Sequence, residues 1–247
     1  MTVQEFSDGF DTLVSSYRRF KDFDNRELLD SVEFNEYEKS LFLTLAQEEV
    51  VINYYNGKNV HGDSFESSEE LRRYLDSLVK TKLYNREESI DGIGVSNNSL
   101  FFSLPSDVSF ITLEQVVLED DSLGCYSGNR VDVFPVTQDE YARVKDNPFR
   151  GPTKYKVLRL DSGNNVVELV SKYNISKYLL KYLSKPEPIV LEDLPDGVSI
   201  NGKTILTECK LNPIIHKDIL IKAVQLALST KSTASSNSDS RRYRDQD

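Results

Sequence analysis

Few residues in this 247-residue chain are of types that carry chemistry. The stretch "HGDSF", His61 to Phe65, sets a serine beside an aspartate and a histidine, a grouping that nucleophilic hydrolysis can use. Such a serine needs a base, and the base needs a third group to orient it. The only other histidine is His216, and Pro213 stands three places before it, where an orienting aspartate is needed. Leu220, Ala223 and Ala227 follow His216 at helical spacing, which reads it as a packed helix residue. "DGIGVS" has two glycines but no third and no strand–glycine–helix order, so it is no dinucleotide fingerprint. Cys125 and Cys209 lie far apart and outside any CxxC, which argues against a disulfide framework and against a zinc site. This pattern predicts no catalytic, cofactor-binding or metal-binding residue.

Charge restricts the partners. The net charge is −10, and residues 1–92 hold 11 basic and 20 acidic side chains while the remainder is nearly balanced. A negative field of this kind disfavours phosphate binding by the first third of the chain. It suits a surface that nucleic acid passes without being held. No apolar run reaches the length of about 18 residues that a membrane helix needs. The N-terminal stretch lacks the basic start and apolar centre of a secretory leader, so an intracellular origin with reduced thiols is expected.

The elements that must position these residues follow from periodicity. In "FNEYEKSLFLTLAQEEVVINYYNG", Phe34, Tyr37, Leu41, Leu45, Ile52 and Tyr55 recur at helical spacing, and Phe42, Ala46, Val50 and Tyr54 form a second stripe. The combined arc is wider than one core-facing surface requires. Phe42, Val50 and Tyr54 are therefore candidates for a subunit interface. An amphipathic segment with Phe6, Phe10 and Val14 precedes this helix, and "SSEELRRYLDSLVKTKLYN" follows it as a further helix. From Asp91 the texture becomes short β-branched and aromatic runs divided by Gly, Asn and Pro, with one helix near 137–147. "DSGN" joins two of these runs as a hairpin. Asn212 and Pro213 then open a last helix, which passes into a Ser-rich segment too polar to bury a core of its own.

The expected fold class is α+β, with N-terminal helices, a central antiparallel β-rich part and a C-terminal helix with a polar tail. The expected parts are an acidic helical 1–92, a β-rich 93–210, a helix at 211–229 and a tail arm at 230–247. Within the tail, Arg241, Arg242, Tyr243 and Arg244 are the side chains suited to anchor on a partner.

Four segments taken together resemble a structural protein of crAss-like bacteriophages: "VDVFPVTQDEYARVKDNPFRGP", "KPEPIVLEDLPDGVSINGKT", "ECKLNPIIHKDILIKAVQLAL" and the 34–57 helix quoted above. The resemblance implies a virion component made in the bacterial host cytoplasm: a ring protein of the head–tail connector, stacked below the portal. It implies no cofactor and no catalytic residue. The implied partners are further copies in a ring of suggested twelve-fold symmetry, the portal, and neighbouring ring or tail proteins. Genomic DNA would pass without specific binding, and no membrane is involved. The residues alone leave open an intracellular enzyme or regulatory binding protein.

Overall fold

The computed structural model describes residues 1–22, 33–59, 62–96 and 98–242, with the side chains of 18–22 and 231–242 excepted. In chain order the elements are α1 (Val3–Asp22), α2 (Glu36–Asn56), α3 (Glu69–Tyr74), β1 (Val79–Asn85), β2 (Ser99–Ser103), β3 (Val108–Leu118), β4 (Arg130–Pro135), α4 (Gln138–Val144), β5 (Lys156–Gly163), β6 (Val166–Val170), β7 (Ile175–Ser184) and α5 (His216–Arg242). They fall into two compact units. Met1–Leu78 joins Pro186–Asp247 in the first, and Val79–Lys185 forms the second. The α+β class holds.

The first unit is helical. Asn35 opens α2 by accepting from the Glu38 amide at 2.8 Å, and the Glu38 carboxylate accepts from the Asn35 amide at 3.1 Å. This reciprocal cap satisfies two otherwise orphaned donors. Gly57 ends the helix at φ 74, a left-handed conformation that a side chain would resist. α1 buries Phe6, Phe10 and Val14, α2 buries Leu43, Ala46 and Val51, and α5 buries Ile219, Ala223 and Val224. Alanines at the α5 contact let the helix backbones approach closely. The small polar residues of α2 have a separate task. Ser40 accepts from the Leu191 amide at 3.0 Å, and Thr44 accepts from the Ile189 amide at 3.1 Å. They fix the extended "PIVL" segment along the helix and leave no buried donor of that segment unpaired there. Lys39, also buried, donates to Asp11 of α1 at 2.7 Å, tying α2 to α1, and to Glu36 of its own helix at 2.8 Å. Burial by itself would lower the lysine's pKa, but the two carboxylates outweigh it and the group is raised.

The second unit is a seven-stranded sheet in the order β1-β7-β3-β4-β5-β6-β2. Every neighbouring pair is antiparallel except β4 and β5, which are parallel. A parallel pair needs a crossover, and α4 supplies it. Tyr141 and Val144 of α4 pack on Leu158, Leu160 and Val170, covering one face of β5 and β6. The opposite face holds the main core, with Phe102, Val116, Val157, Leu169, Tyr178 and Leu180. At the β5–β6 hairpin, Asn164 (φ 51) and Asn165 (φ 58) both lie in the left-handed region, the geometry of a two-residue turn that follows the strands' twist.

Two segments, β1 and the end of α5, differ from the sequence reading. "VKTKLYN" was expected to continue a helix, and it is the edge strand β1. The helix stops at Tyr74, and Val79–Asn85 pairs along β7 from Leu183 to Lys177. Valine, threonine and leucine alternate with lysines there. That period of two is too short in extent to outweigh the helical signal before it, and the ten-residue β7 beside it decides the outcome.

Candidate assembly surfaces

The residues that suggested hydrolysis are placed as follows. Ser64 lies in a turn, its hydroxyl donating to the Ser67 oxygen at 3.2 Å, and Phe65 is buried against Tyr55. His61 lies outside the described residues. His216 is 3% exposed; one ring nitrogen, Nδ1, lies 2.8 Å from the Met1 amino nitrogen and the other, Nε2, lies 2.9 Å from the Leu211 carbonyl. Its ring also packs on Phe6 at 5.3 Å between centroids. A carbonyl can only accept and an ammonium can only donate, so Nε2 donates and Nδ1 accepts, and burial lowers the ring's pKa. Cys125 is exposed, Cys209 is partly buried, and both are free. Burial raises the Cys209 thiol, which makes it a poor nucleophile. Among the described residues, no three His, Cys, Asp or Glu gather as metal ligands would.

The two stripes of α2 have different surroundings. Val50 and Tyr54 are buried within the subunit, and the Tyr54 hydroxyl donates to Asp218 of α5 at 2.7 Å. Burial and that carboxylate push the phenol far above its usual range. Phe42 is half-buried and sits edge-on to Phe34 at 5.8 Å, and Phe34 in turn sits edge-on to Phe10 at 5.4 Å. This aromatic chain joins α1 to α2. The other stripe is open. Tyr37, Leu41, Leu45 and Ile52 are exposed, Leu45 to 45%. They recur every four or seven residues and so share one side of the helix. A helix apolar on both sides has a partner beyond its own core, or a patch with nothing to cover it.

At the C-terminus, the backbone of α5 continues as helix to Arg242 through the Ser-rich segment that was expected to be a tail. Arg241 and Arg242 are its last two residues. Tyr243 and Arg244 lie outside the described residues.

Charge follows the division into units more sharply than it follows the first 92 residues. The helical unit carries 16 basic and 26 acidic side chains, and the sheet unit carries 14 of each, so the whole excess of −10 falls on the helical unit.

The phage tail ring protein 3/4 family matches residues 1–239. The chain belongs to this family. Ring protein 3 of Bacteroides phage crAss001 is 48% identical over 241 residues, which span 97% of this chain and all of that protein. Ring protein 4/5 of the same phage is 33% identical over 236 residues, or 92% of each chain. The match therefore runs through both units of this crAss-like phage ring protein.

Proposed function

We propose that this chain is a structural, non-enzymatic subunit of a closed homo-oligomeric ring in the virion's head–tail connector, stacked below the portal around the DNA passage. The observation that carries this reading is the full-length match to Ring protein 3 of a crAss-like phage. The open apolar stripe on α2 supports self-assembly, and a twelve-fold ring is the symmetry that the family resemblance suggests. An acidic helical unit suits a lumen that lets DNA slide, because each cation on a phosphate adds affinity and would retard the strand. Neither cofactor nor metal is needed. Immunogold labelling of intact virions tests the location: label at the vertex between head and tail supports it, and label absent from particles rules it out.

In this reading Arg241 and Arg242 at the end of α5, with Tyr243 and Arg244 that follow them in sequence, dock on the portal or an adjoining ring. Arginine pairs bidentately with carboxylates and tyrosine anchors in a pocket, so the four suit a contact between proteins. Deletion of 231–247 should leave the thermal midpoint of the isolated subunit almost unchanged while weakening docking to that partner. Circular dichroism and co-sedimentation with the partner check both halves. A large fall in the midpoint would assign the segment to the subunit's own fold instead.

A further inference from the structure

The second unit has a surface that answers the open stripe of α2. On the face of the sheet turned away from its core, Leu83 of β1 stands opposite Leu179 of β7, which stands opposite Gln115 of β3, and Val117 of β3 lies diagonally beside Leu179, opposite Lys177. Leu83, Val117 and Leu179 line a groove of about 360 Å³, and Arg130 and Lys177 line it too. α4 covers β5 and β6 on that side of the sheet, and among the described residues no α-helix of the unit other than α4 is present to cover β1, β7 and β3. Leu83 is 52% exposed, although it sits directly opposite Leu179 on the neighbouring strand. Among the described residues, neither Arg130 nor Lys177 has an ion-pair partner. Gln115 and Glu119 also line it, so the groove offers a partly apolar floor and two cations against one carboxylate.

The α2 stripe is its complement in both respects. Tyr37, Leu41, Leu45 and Ile52 supply a linear apolar ridge, and Glu48 lies on the same side of the helix. The unit that carries the ridge also carries the entire negative excess of the chain. We infer that the α2 ridge of one copy docks in the β1–β7–β3 groove of the next. This inference rests on the ring reading above and names the contact that builds the ring. The contact is heterologous: each copy gives a ridge and receives one, so the chain of contacts closes only when the rotation per subunit completes a circle. Opposite charges at the two surfaces orient the approach and disfavour ridge-to-ridge or groove-to-groove pairing.

Two variants separate the halves. Leu41→Glu with Leu45→Glu spoils the ridge, and Arg130→Glu with Lys177→Glu spoils the groove. All four side chains are on the surface or at a groove edge, so both proteins should fold, as circular dichroism will report. Light scattering after size exclusion should show each variant alone as a monomer. Mixed one to one, they should form a dimer that grows no further, because one intact ridge and one intact groove remain. Wild type should give closed rings by electron microscopy. Rings from the groove variant would overturn the inference, as would a mixture that stays monomeric. A wild type that stays monomeric at millimolar concentration also overturns it, because a ring-building contact of even modest strength would then be populated. That last result leaves the virion location to be judged by the immunogold label, so the two readings fail separately.

Discussion

Arg159→Met should destabilise the sheet unit by about 3–5 kcal/mol, a loss near the top of what one substitution produces. The reason lies inside the curl of the sheet. Glu114 is 7% exposed on β3, and Arg159 of β5 donates to it at 2.7 Å. The Tyr178 hydroxyl of β7 donates to the other carboxylate oxygen. Burial raises the Glu114 pKa, and the attraction of Arg159 with the two hydrogen bonds opposes that rise without cancelling it. Methionine replaces the stem of arginine but leaves a carboxylate with no positive partner in a dry interior. The sign of the pH dependence follows. A carboxyl raised in the folded state keeps its proton where the unfolded chain has lost it, so its contribution is fully present below the ordinary carboxyl range and is lost as pH rises through the raised value. Removing Arg159 raises it further. The penalty should be largest at neutral pH and shrink in acid, as denaturant midpoints at the two pH values will show. Glu114→Gln on top of Arg159→Met should recover most of the loss, since a neutral amide needs no counter-charge. An equal loss at both pH values, or no recovery in the double variant, would show that the pair is not the source.

Phe10→Ala should cost about 3–5 kcal/mol through the cavity it leaves. Phe10 is fully buried on α1 and packs edge-on to Phe34, which packs edge-on to Phe42 of α2. Its loss removes the aromatic chain that holds those two helices. The Lys39–Asp11 ion pair would then carry more of the α1 contact, and Asp11 is open enough to water to give limited support. Because α2 carries the open ridge, ring formation should weaken at temperatures where the variant is still mostly folded. Melting curves and ring yield over the same temperature range check this. A midpoint within a degree or two of wild type would mean that the site collapses around the smaller side chain.

Much of this was legible in the chain. The Asn212–Pro213 start of the last helix and the helical spacing through 34–55 are local chemistry, and both are in place. The strands between Asp91 and Ser184 were visible because β-branched runs and turn residues alternate clearly. β1 was hidden, since its identity depends on pairing with β7, which lies about a hundred residues further on. For α2, the sequence shows two apolar stripes and gives no means of ordering them. Which stripe meets the core depends on α5 and on the 186–211 segment, held through Ser40 and Thr44. Glu114 carried no signal of burial, for it shares a strand face with Val116 and Leu118 while Leu113, Gln115 and Val117 make the other face look equally apolar in sequence. The groove residues Leu83, Val117, Leu179, Arg130 and Lys177 come from four strands, so no linear pattern marks them.

A symmetry-resolved electron cryomicroscopy reconstruction of the virion neck is the most direct test of the proposed role. It should place this chain in a closed ring on the axis between the head and the tail, with the helical unit's acidic side chains around the DNA passage and α2 of each subunit on the sheet of the next. Density showing the chain away from that axis, or as an unclosed or single copy, would contradict the account.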